Sequence, residues 1–435
     1  MQFEYHTFLS LSSKIIDNRG KTCPTSSVGI PLIATNCVKN DTLYPSYEKV
    51  RYISQETYSN WFRGHPEPGD LIFVTKGSPG QVCLAPDPVD FCIAQDMVAF
   101  RVDEKKVNSR YLFAVLRSPS IQTKIENMHV GTLIPHFKKG DFDKLDIPIP
   151  KPEYQKLIGD YFYYLSLKIE LNRRMNETLE AMAKALFKSW FVDFDPIRAK
   201  AEGRQPEGLA PEIADLFPDG FEDSELGEIP RGWEVKTLGI ISNYLKRGIS
   251  PKYVEEGGVC VINQKCIRNG WLDISKARRH NSELRSVEGR EIEIGDILVN
   301  STGVGTLGRV AQVLDMPETM IVDSHVTIVR PNPETIKPNV LGIGLLGKEA
   351  DIEAMGEGST GQTELSRENL SNLKILVPPF GIQEYFEDIV IPLRKKMIIS
   401  FFQSSKLSIL RDSLLPKLMS GDLRVKDVEA LMEDI

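Results

Sequence analysis

The chain has 435 residues, enough for two to four ordinary domains that each bury a core. Hydrophobic residues make up 41% of it and charged residues 26%, the composition of a globular protein. No run of about 18 unbroken apolar residues occurs, which excludes a membrane span. The six cysteines form no CxxC pair and no N-terminal signal pattern is present, so we expect reduced thiols in a cytoplasmic protein.

The net charge of −7 is unevenly distributed along the chain. Between Asp193 and Glu228, eleven acidic and three basic residues give −8, so the rest of the chain is near +1. The tail from Asp422 contributes a further −3, from five acids and two bases. The folded domains are therefore expected to be mildly basic, with basic patches possible on one face. This charge neither demands nor excludes nucleic acid as a partner.

The first 152 residues show a mixed pattern that predicts a globular domain. Short β-rich runs at 70–75 and 97–102 are separated by Gly and Pro turns. One helix is predicted over 109–128 from its apolar spacing. The segment 145–150 reads as a last, edge-like strand, because its prolines cannot donate to a sheet ladder.

Residues 153–195 change to the spacing of a long helix. The stretch is low in Gly, and its apolar residues recur every three or four positions. A helix of some forty residues would be about 60 Å long at about 1.5 Å per residue. Lys168 and Asn172 are predicted to lie on its apolar seam, where polar residues can fix register and partner number at a cost in stability.

The second half of the chain repeats this order. Its strands are predicted at 296–300, 309–314 and 326–330, and Pro392 is expected to kink the following helix or delay its start. The remaining segments are an acidic Pro/Gly linker at 196–231, a second globular domain at 232–380, a second long helix at 381–421 and an acidic tail at 422–435.

An internal repeat relates the two halves of the chain at a nearly constant offset in residue number. The segment that starts at Phe142 aligns with the one that starts at Leu370, and at the same offset Asn172 aligns with Ser400. Two equal helices with matched seams should pack antiparallel as a coiled coil. We therefore predict a mixed α/β (α+β) fold with two tandem domains, each followed by a long helix, and an internal pseudo-two-fold repeat.

Three motifs resemble catalytic or cofactor sites, and none is convincing. The GxGxxG pattern at 303–308 precedes a strand-like run rather than the helix that a dinucleotide site needs, so a glycine-rich hairpin is predicted. The sequence at 377–380 matches a methyltransferase motif except that valine replaces its amide or acid. Pro86-Asp87 with 103–105 imitates a nuclease pattern only loosely. The six histidines show no metal-ligand spacing, and we predict neither a catalytic residue nor a metal site.

Three polar, basic loops recur in both domains and suit contacts to phosphates and base edges. The first, 36–39, matches 265–268; the second, 75–78, matches 300–303; the third, 131–139, matches 359–364. The candidate DNA-binding residues in and near these loops are Asn36, Lys39, Lys76, Thr132, His136, Lys138, Lys139, Lys265, Arg268, Arg278, Arg279, His280, Thr360, Gln362 and Thr363.

Three segments resemble conserved regions of one family. The helical stretch LNRRMNETLEAMAKALFKSWFVDF at 171–194 resembles the central conserved region of type I restriction–modification specificity subunits. ELGEIPRGW at 225–233 resembles the opening of that family's second recognition domain, and SLLPKLMSGDL at 413–423 its distal conserved end. The resemblance spans essentially the whole chain.

The resemblance implies a DNA-recognition subunit without catalytic residues or a cofactor of its own. Each globular domain would read one half of a split double-stranded DNA target, and the two helices would set the gap between the halves. Two methyltransferase subunits would supply S-adenosylmethionine, and restriction subunits bound through them would supply ATP- and Mg-dependent cleavage. The helices, including an exposed Trp190–Phe191 region, would be the docking surface. An adaptor that binds other proteins through two repeated domains is the alternative.

Overall fold

The computed structural model describes residues 2–18, 21–128, 134–358 and 363–422. The chain forms two compact units. Unit 1 comprises Met1–Arg174 together with Ser400–Ile435, and unit 2 comprises Met175–Ile399. Each unit therefore combines one globular domain with parts of both long helices.

Unit 1 is built on a four-stranded antiparallel sheet in the order β2-β8-β5-β6, beside a three-stranded sheet β4-β3-β7 and a pair β1-β9. The predicted edge-like strand at 145–150 is observed as β9, which pairs only with β1. The elements are β1 (Glu4–Thr7), β2 (Ser12–Asp17), β3 (Ile30–Ile33), β4 (Arg51–Ile53), α1 (Gln55–Trp61), β5 (Leu71–Val74), β6 (Val82–Leu84), β7 (Cys92–Ile93), β8 (Met97–Val102), α2 (Ser109–Leu116), α3 (Pro119–Met128), β9 (Asp146–Ile149) and the first long helix, α4 (Pro152–Phe191).

The single helix predicted over 109–128 is in fact two helices. Asn108 caps α2 by accepting a hydrogen bond from the Tyr111 amide, and the helix ends at Leu116. Pro119 opens α3. Proline has no N–H to donate and disfavours helical geometry in the residue before it, so the chain breaks at Arg117–Ser118. Apolar periodicity alone did not reveal this break.

Unit 2 repeats the same sheet plan, with a four-stranded antiparallel sheet in the order β13-β22-β19-β20 and a second sheet β14-β18-β15-β21. Its elements are α5 (Asp195–Ala201), α6 (Pro211–Ala214), β10 (Phe221–Ser224), β11 (Gly227–Pro230), β12 (Glu234–Thr237), β13 (Ser242–Arg247), β14 (Tyr253–Val254), β15 (Val259–Ile262), β16 (Ile267–Arg268), β17 (Trp271–Leu272), β18 (Arg278–His280), β19 (Ile297–Asn300), β20 (Val310–Gln312), β21 (Met320–Val322), β22 (Val326–Pro331), α7 (Pro338–Leu346), α8 (Glu349–Ala354), α9 (Arg367–Ser371), β23 (Lys374–Val377) and the second long helix, α10 (Phe380–Ser420).

A buried ion pair stands at the same place in each sheet. In unit 1, Asp70 accepts hydrogen bonds at 3.0 Å from both Nε and Nη2 of Arg101. In unit 2, Asp296 accepts from the same two atoms of Arg330, at 2.8 and 2.9 Å. These carboxylates are 3% and 1% exposed, and the bidentate, charge-assisted pair offsets the cost of burying the charge together with a backbone amide that donates to each, from Glu67 and Glu293. The repeat thus extends from sequence to individual hydrogen bonds.

The long helices α4 and α10 begin at Pro152 and Phe380, at the offset that the repeat predicts. Within each unit their segments run antiparallel. In unit 1 the Tyr161 hydroxyl donates to the Leu410 carbonyl at 3.4 Å, and in unit 2 the Asn176 amide donates to the Met397 carbonyl at 3.2 Å.

Of the two alternatives for Pro392, the delayed start was wrong, because α10 begins well before it at Phe380, and a kink at Pro392 stays a prediction. The expectation for Lys168 was also wrong. Lys168 is exposed rather than on the seam, as is Lys396, its counterpart in the repeat. Asn172 and Ser400 do occupy it, both at 1% exposure. The lysine stems keep their charged ends in water, which a short amide or hydroxyl side chain need not do.

The segment predicted as a linker, 196–231, carries α5, α6 and a β10-β11 hairpin. Ile197 and Phe217 from it are buried in the core of unit 2. Phe217 makes an edge contact with Trp190 at 5.2 Å. Trp190 and Phe191 are consequently 2% and 8% exposed, and the expectation of an exposed docking region there was wrong. Sequence periodicity could not show which later segment would cover them.

Among the described residues, no helix is long and apolar enough to cross a membrane. The six cysteines are all free thiols, five of them buried. Burial raises the pKa of Cys266 to about 11, which keeps this thiol protonated at neutral pH.

Candidate nucleic-acid interface

In unit 1 the second and third recurring loops are joined side by side. Lys76 and His136 form an isolated antiparallel bridge. The Phe137 amide donates to the Thr75 carbonyl at 2.9 Å, and the Gly77 amide donates to the Pro135 carbonyl at 3.0 Å. Residues opposite each other in an antiparallel bridge place their side chains on the same face. The fold therefore brings together Lys76 and His136, which are far apart in the sequence.

Unit 2 makes the same junction. Thr302 and Glu364 form the equivalent bridge, and the Leu365 amide donates to the Ser301 carbonyl at 2.8 Å. The second loops therefore correspond with an offset of 226, so that Thr302 matches Lys76. The sequence comparison had placed Ser301 opposite Lys76, one residue away. The third loops keep the offset of 228, which makes Glu364 the counterpart of His136.

Each second loop contains a glycine with positive φ beside the residue that precedes the first loop, and in unit 2 the close approach requires the glycine. Gly77 has φ 87° and Gly303 has φ 104°, a conformation that side chains other than glycine rarely adopt. A Cβ added to Gly77 would lie 4.0 Å from the Thr35 hydroxyl. A Cβ added to Gly303 would lie 2.4 Å from Oε1 of Gln264 and would clash. All three loops thus meet at one edge of each domain.

The first loop of unit 1 is held by exposed contacts to Glu48 and by hydrogen bonds from the buried Arg117. Asn36 donates from its amide to the Glu48 carbonyl at 2.7 Å, and Lys39 lies 3.3 Å from the Glu48 carboxylate. Arg117, fully enclosed in the protein, donates to the main-chain carbonyls of Lys39, Thr42 and Val82. Burial lowers the pKa of this guanidinium to about 9. Arg117 therefore fixes the shape of the loop that presents Lys39.

The candidates of the third loops fall partly outside the described residues. Thr132, Thr360 and Gln362 lie in the ranges that are left out of the description. Lys138 and Lys139 are exposed, and Lys139 forms an ion pair with Asp17 at the end of β2. Thr363 is half-buried beside Glu364.

The basic candidates of unit 2 occupy two places. Lys265 and Arg268 are exposed in and after the first loop. Arg278, on β18, stacks 3.3 Å above the Tyr253 ring, and Arg279 forms a two-point ion pair with Glu318 at 2.5 and 2.9 Å. These arginines lie on a strand outside the three-loop junction.

His280 is the candidate whose surroundings least suit a ligand contact. Its ring is fully buried, with Nδ1 accepting from the Lys252 amide at 2.8 Å and Nε2 bonded to the Arg285 carbonyl at 2.9 Å. Both nitrogens thus have protein partners. Accordingly, we leave His280 out of the interface proposed below.

The junction in unit 2 contains polar residues that were not among the predicted candidates. The Thr302 hydroxyl is 2.8 Å from Nδ1 of the exposed His325, and Glu364 is held by an ion pair with Arg247. The tip of the second loop carries Val304, 83% exposed. The internal repeat extends to Thr302 and Glu364, so the sequence contained a signal for these two residues. His325 lies in the turn before β22 and Arg247 ends β13, and nothing in the local sequence marks them.

The motifs with catalytic resemblance have structural roles. The GxGxxG segment connects β19 to the antiparallel β20, which confirms the predicted glycine-rich hairpin. Residues 377–380 form the corner between β23 and α10. No group of His, Cys, Asp and Glu among the described residues could hold a metal ion.

The fold and the paired junctions define a class of protein: a chain of two related units that present different side chains from the same scaffold. The family model described as "Type I restriction modification DNA specificity domain" matches twice, at residues 10–181 and 230–399. The chain therefore belongs to the type I restriction–modification DNA specificity family, as its sequence resemblance indicated.

Two relatives that match most of the chain are also specificity subunits. It is 26% identical to the type I restriction enzyme MjaIX specificity subunit of Methanocaldococcus jannaschii, over 83% of this chain and 79% of that one. It is 24% identical to the HindI specificity subunit of Haemophilus influenzae, over 82% of this chain and 86% of that one. The crystal structure of a type I S subunit from M. genitalium shares the fold, with TM-score 0.57, 18% identity and 96% coverage of both chains. The protein is thus a non-catalytic specificity subunit with two recognition domains, and the adaptor hypothesis is set aside.

Proposed function

We propose that this subunit reads a split DNA sequence, with one half read by the three-loop junction of each unit. The observation that carries the proposal is the equivalence of the two junctions. Their backbones share the same bridge and the same hydrogen bond, whereas Lys76 and His136 in one are replaced by Thr302 and Glu364 in the other. A common scaffold with different donors and acceptors suits two different base sequences in the major groove.

The exposed lysines and arginines near the junctions would contact phosphates. Such contacts position the duplex without reading its sequence, and they make affinity fall steeply with salt. For this role we propose the exposed residues Lys39, Lys138, Lys139, Lys265 and Arg268.

We assign the gap between the half-sites to the long helices. The helix α4 continues from Arg174 of unit 1 into Met175 of unit 2, and α10 continues from Ile399 into Ser400. A continuous helix has a length set by its residue count, at about 1.5 Å per residue. Deleting seven residues from each helix would remove about 10 Å, or roughly three base pairs of the gap, and leave both half-sites unchanged.

The helices also carry the surface proposed for two methyltransferase subunits, through which restriction subunits would join. Exposed apolar side chains favour a partner site where they lie together in one patch, whereas single scattered ones are ordinary. In α4 and α10 the exposed apolar side chains include Leu171, Met182, Ile399, Phe401 and Ile409, each more than half exposed. S-adenosylmethionine, ATP and Mg would be bound by those partners.

The test is a map of N6-methyladenine across the host genome with this gene intact and deleted. Loss of one two-part methylated motif on deletion is the expected result, and it would identify the target. If the methylome is unchanged, purified chain assembled with its methyltransferase partner should be tested for salt-dependent, sequence-selective binding of duplex DNA. An unchanged methylome together with no sequence-selective binding of duplex DNA would contradict the proposal.

Exchange of one domain tests the assignment of half-sites. Replacing residues 225–380 with the corresponding domain of another family member should change one half of the motif and keep the other. A change in both halves would contradict the one-unit, one-half assignment.

A further inference from the structure

The two junctions differ in charge at one equivalent position. His136 in unit 1 corresponds to Glu364 in unit 2, and each faces its partner across the same antiparallel bridge. The strand ends beside them differ as well. Asp17 ends β2 and pairs with Lys139, whereas its counterpart Arg247 ends β13 and pairs with Glu364. The charge at the strand end is thus reversed between the units, and each strand end pairs with a residue of its third loop that has the opposite charge.

A carboxylate at this place is costly for a protein that binds DNA. Glu364 is 55% exposed on its side chain, beside the second loop, where it would repel phosphates. Its pairing with Arg247, 27% exposed, lowers that cost and fixes its direction, since the guanidinium also donates to the Leu365 carbonyl. An acceptor that is held in place this way is useful if it meets a donor of the ligand.

The donors that a DNA major groove offers are exocyclic amino groups. Cytosine presents N4 and adenine presents N6, and carboxylate side chains characteristically accept from cytosine N4. Lysine and a histidine N–H are donors, and they suit guanine, whose O6 and N7 are acceptors. The same backbone position thus presents an acceptor in unit 2 and donors in unit 1.

We infer that Glu364, oriented by Arg247, is a specificity-determining residue that accepts a hydrogen bond from the amino group of one cytosine in the half-site of unit 2. Lys76 and His136 select a guanine at the equivalent place in the half-site of unit 1. This inference rests on the proposed function, because it requires that the junctions face the bases.

The experiment uses the full chain assembled with its methyltransferase partner and duplexes that carry the target motif. Each position of the half-site assigned to unit 2 is replaced by the other three bases, and affinities are measured by competition at fixed salt. The affinity of the wild-type protein should fall about 10- to 100-fold when one particular cytosine of this half-site is replaced. Glu364→Gln keeps an acceptor oxygen but loses the charge and the ion pair with Arg247 that orients it, so it should reduce the discrimination at that position to about threefold or less, and leave every other position unchanged.

Glu357→Gln is the matched control. Glu357 is an exposed carboxylate of the same hairpin, bridged to Glu364 on its other side and bonded to the Asn369 amide at 2.9 Å. Its substitution removes the same charge, so non-specific affinity should rise as in Glu364→Gln while base preference stays unchanged. Lys76→Gln supplies a second test, with relaxed preference at one guanine of the other half-site.

Three outcomes are distinguishable. Relaxation at one cytosine in Glu364→Gln alone supports the inference. The inference is overturned if base preference is unchanged in both Glu364→Gln and Lys76→Gln and non-specific affinity rises as much in Glu364→Gln as in Glu357→Gln. In that case, sequence-selective binding by the wild-type protein still upholds the proposed function. Absence of any preference for the target motif in wild-type protein would refute both.

Discussion

Asn172 donates a hydrogen bond from Nδ2 to the main-chain carbonyl of Ser400 at 3.4 Å, and the two residues are counterparts in the internal repeat. The same amide also reaches Gln403 at 3.0 Å and the Ser404 hydroxyl at 3.2 Å. This contact sets the antiparallel register of the two helical segments in unit 1. Its partners are acceptors or hydroxyls, so the interaction depends on the donor capacity of the amide.

We therefore expect Asn172→Asp to destabilise unit 1 by about 1–3 kcal/mol, because a carboxylate would face the Ser400 carbonyl without a donor. Asn172→Leu should be close to neutral, since Ser404 already bonds the Ser400 carbonyl at 2.8 Å and Gln403 is exposed to water. Thermal unfolding at pH 7 measures both. Lys168→Ala, an exposed position on the same helix, is the control, with a change within about 0.5 kcal/mol. Equal losses for the Asp and Leu variants would contradict this explanation.

The buried pairs Asp70–Arg101 and Asp296–Arg330 allow each unit to be weakened separately. Asp70→Asn should cost unit 1 about 1–3 kcal/mol by removing the buried charged partner of Arg101, which keeps its ion pair with Glu67. Asp296→Asn should do the same in unit 2. Limited proteolysis should then show earlier cleavage in the affected unit only. Glu67→Gln, at the 63%-exposed rim of the first pair, should change little. Earlier cleavage in both units after either substitution would show that the stabilities of the units are coupled.

The carboxyl of Glu170 should make the stability of unit 1 depend on acid pH. Burial raises its pKa, but hydrogen bonds from Arg173 and Arg174, at 2.7 and 2.6 Å, outweigh burial and leave the pKa below its ordinary 4.5. A depressed folded-state pKa stabilises the protein above pH 4.5, and that contribution is lost as pH falls through the folded value. Denaturant unfolding of wild-type protein and Glu170→Gln should therefore differ at pH 7 and converge in acid. A difference that is constant with pH would disprove this assignment.

Arg117 should influence DNA reading by unit 1 through the first loop. Arg117→Met would leave the carbonyls of Lys39, Thr42 and Val82 without this donor, so we expect a destabilised loop and an affinity for the target DNA that falls about 10-fold. Base preference in the half-site of unit 2 should not change. Competition binding with duplexes altered in either half separates these effects. If both halves lose discrimination equally, Arg117 supports the overall fold rather than this loop.

Lys138 offers a direct test of phosphate contact. It is exposed next to the junction of unit 1, and neutralising one contacted phosphate contributes about 0.9 to the slope of log affinity against log salt. Lys138→Ala should therefore weaken binding to target and non-target duplexes alike, and make the slope shallower by about one. Lys105→Ala, in the exposed turn at 103–106, is the control. An unchanged slope would remove Lys138 from the proposed interface.

Local patterns in the sequence determined the elements and their repetition. The strands around 71–74, 97–102 and 326–331, the two long helices, and the offset of 228 between them followed from apolar periodicity and glycine and proline placement. These properties depend on neighbours within one turn or one strand. For the same reason the sequence excluded a dinucleotide site at 303–308.

Tertiary structure alone decided which side chains meet. Packing of a segment taken for a linker buried Trp190, and Pro119 divided a helix that periodicity made continuous. The junctions depend on pairing between segments that are far apart in the sequence, which joined Thr302 to Glu364 and placed His325 and Arg247 beside them. Register between distant strands is fixed by burial on the sheet faces and by turn geometry, and no short window of sequence contains that information.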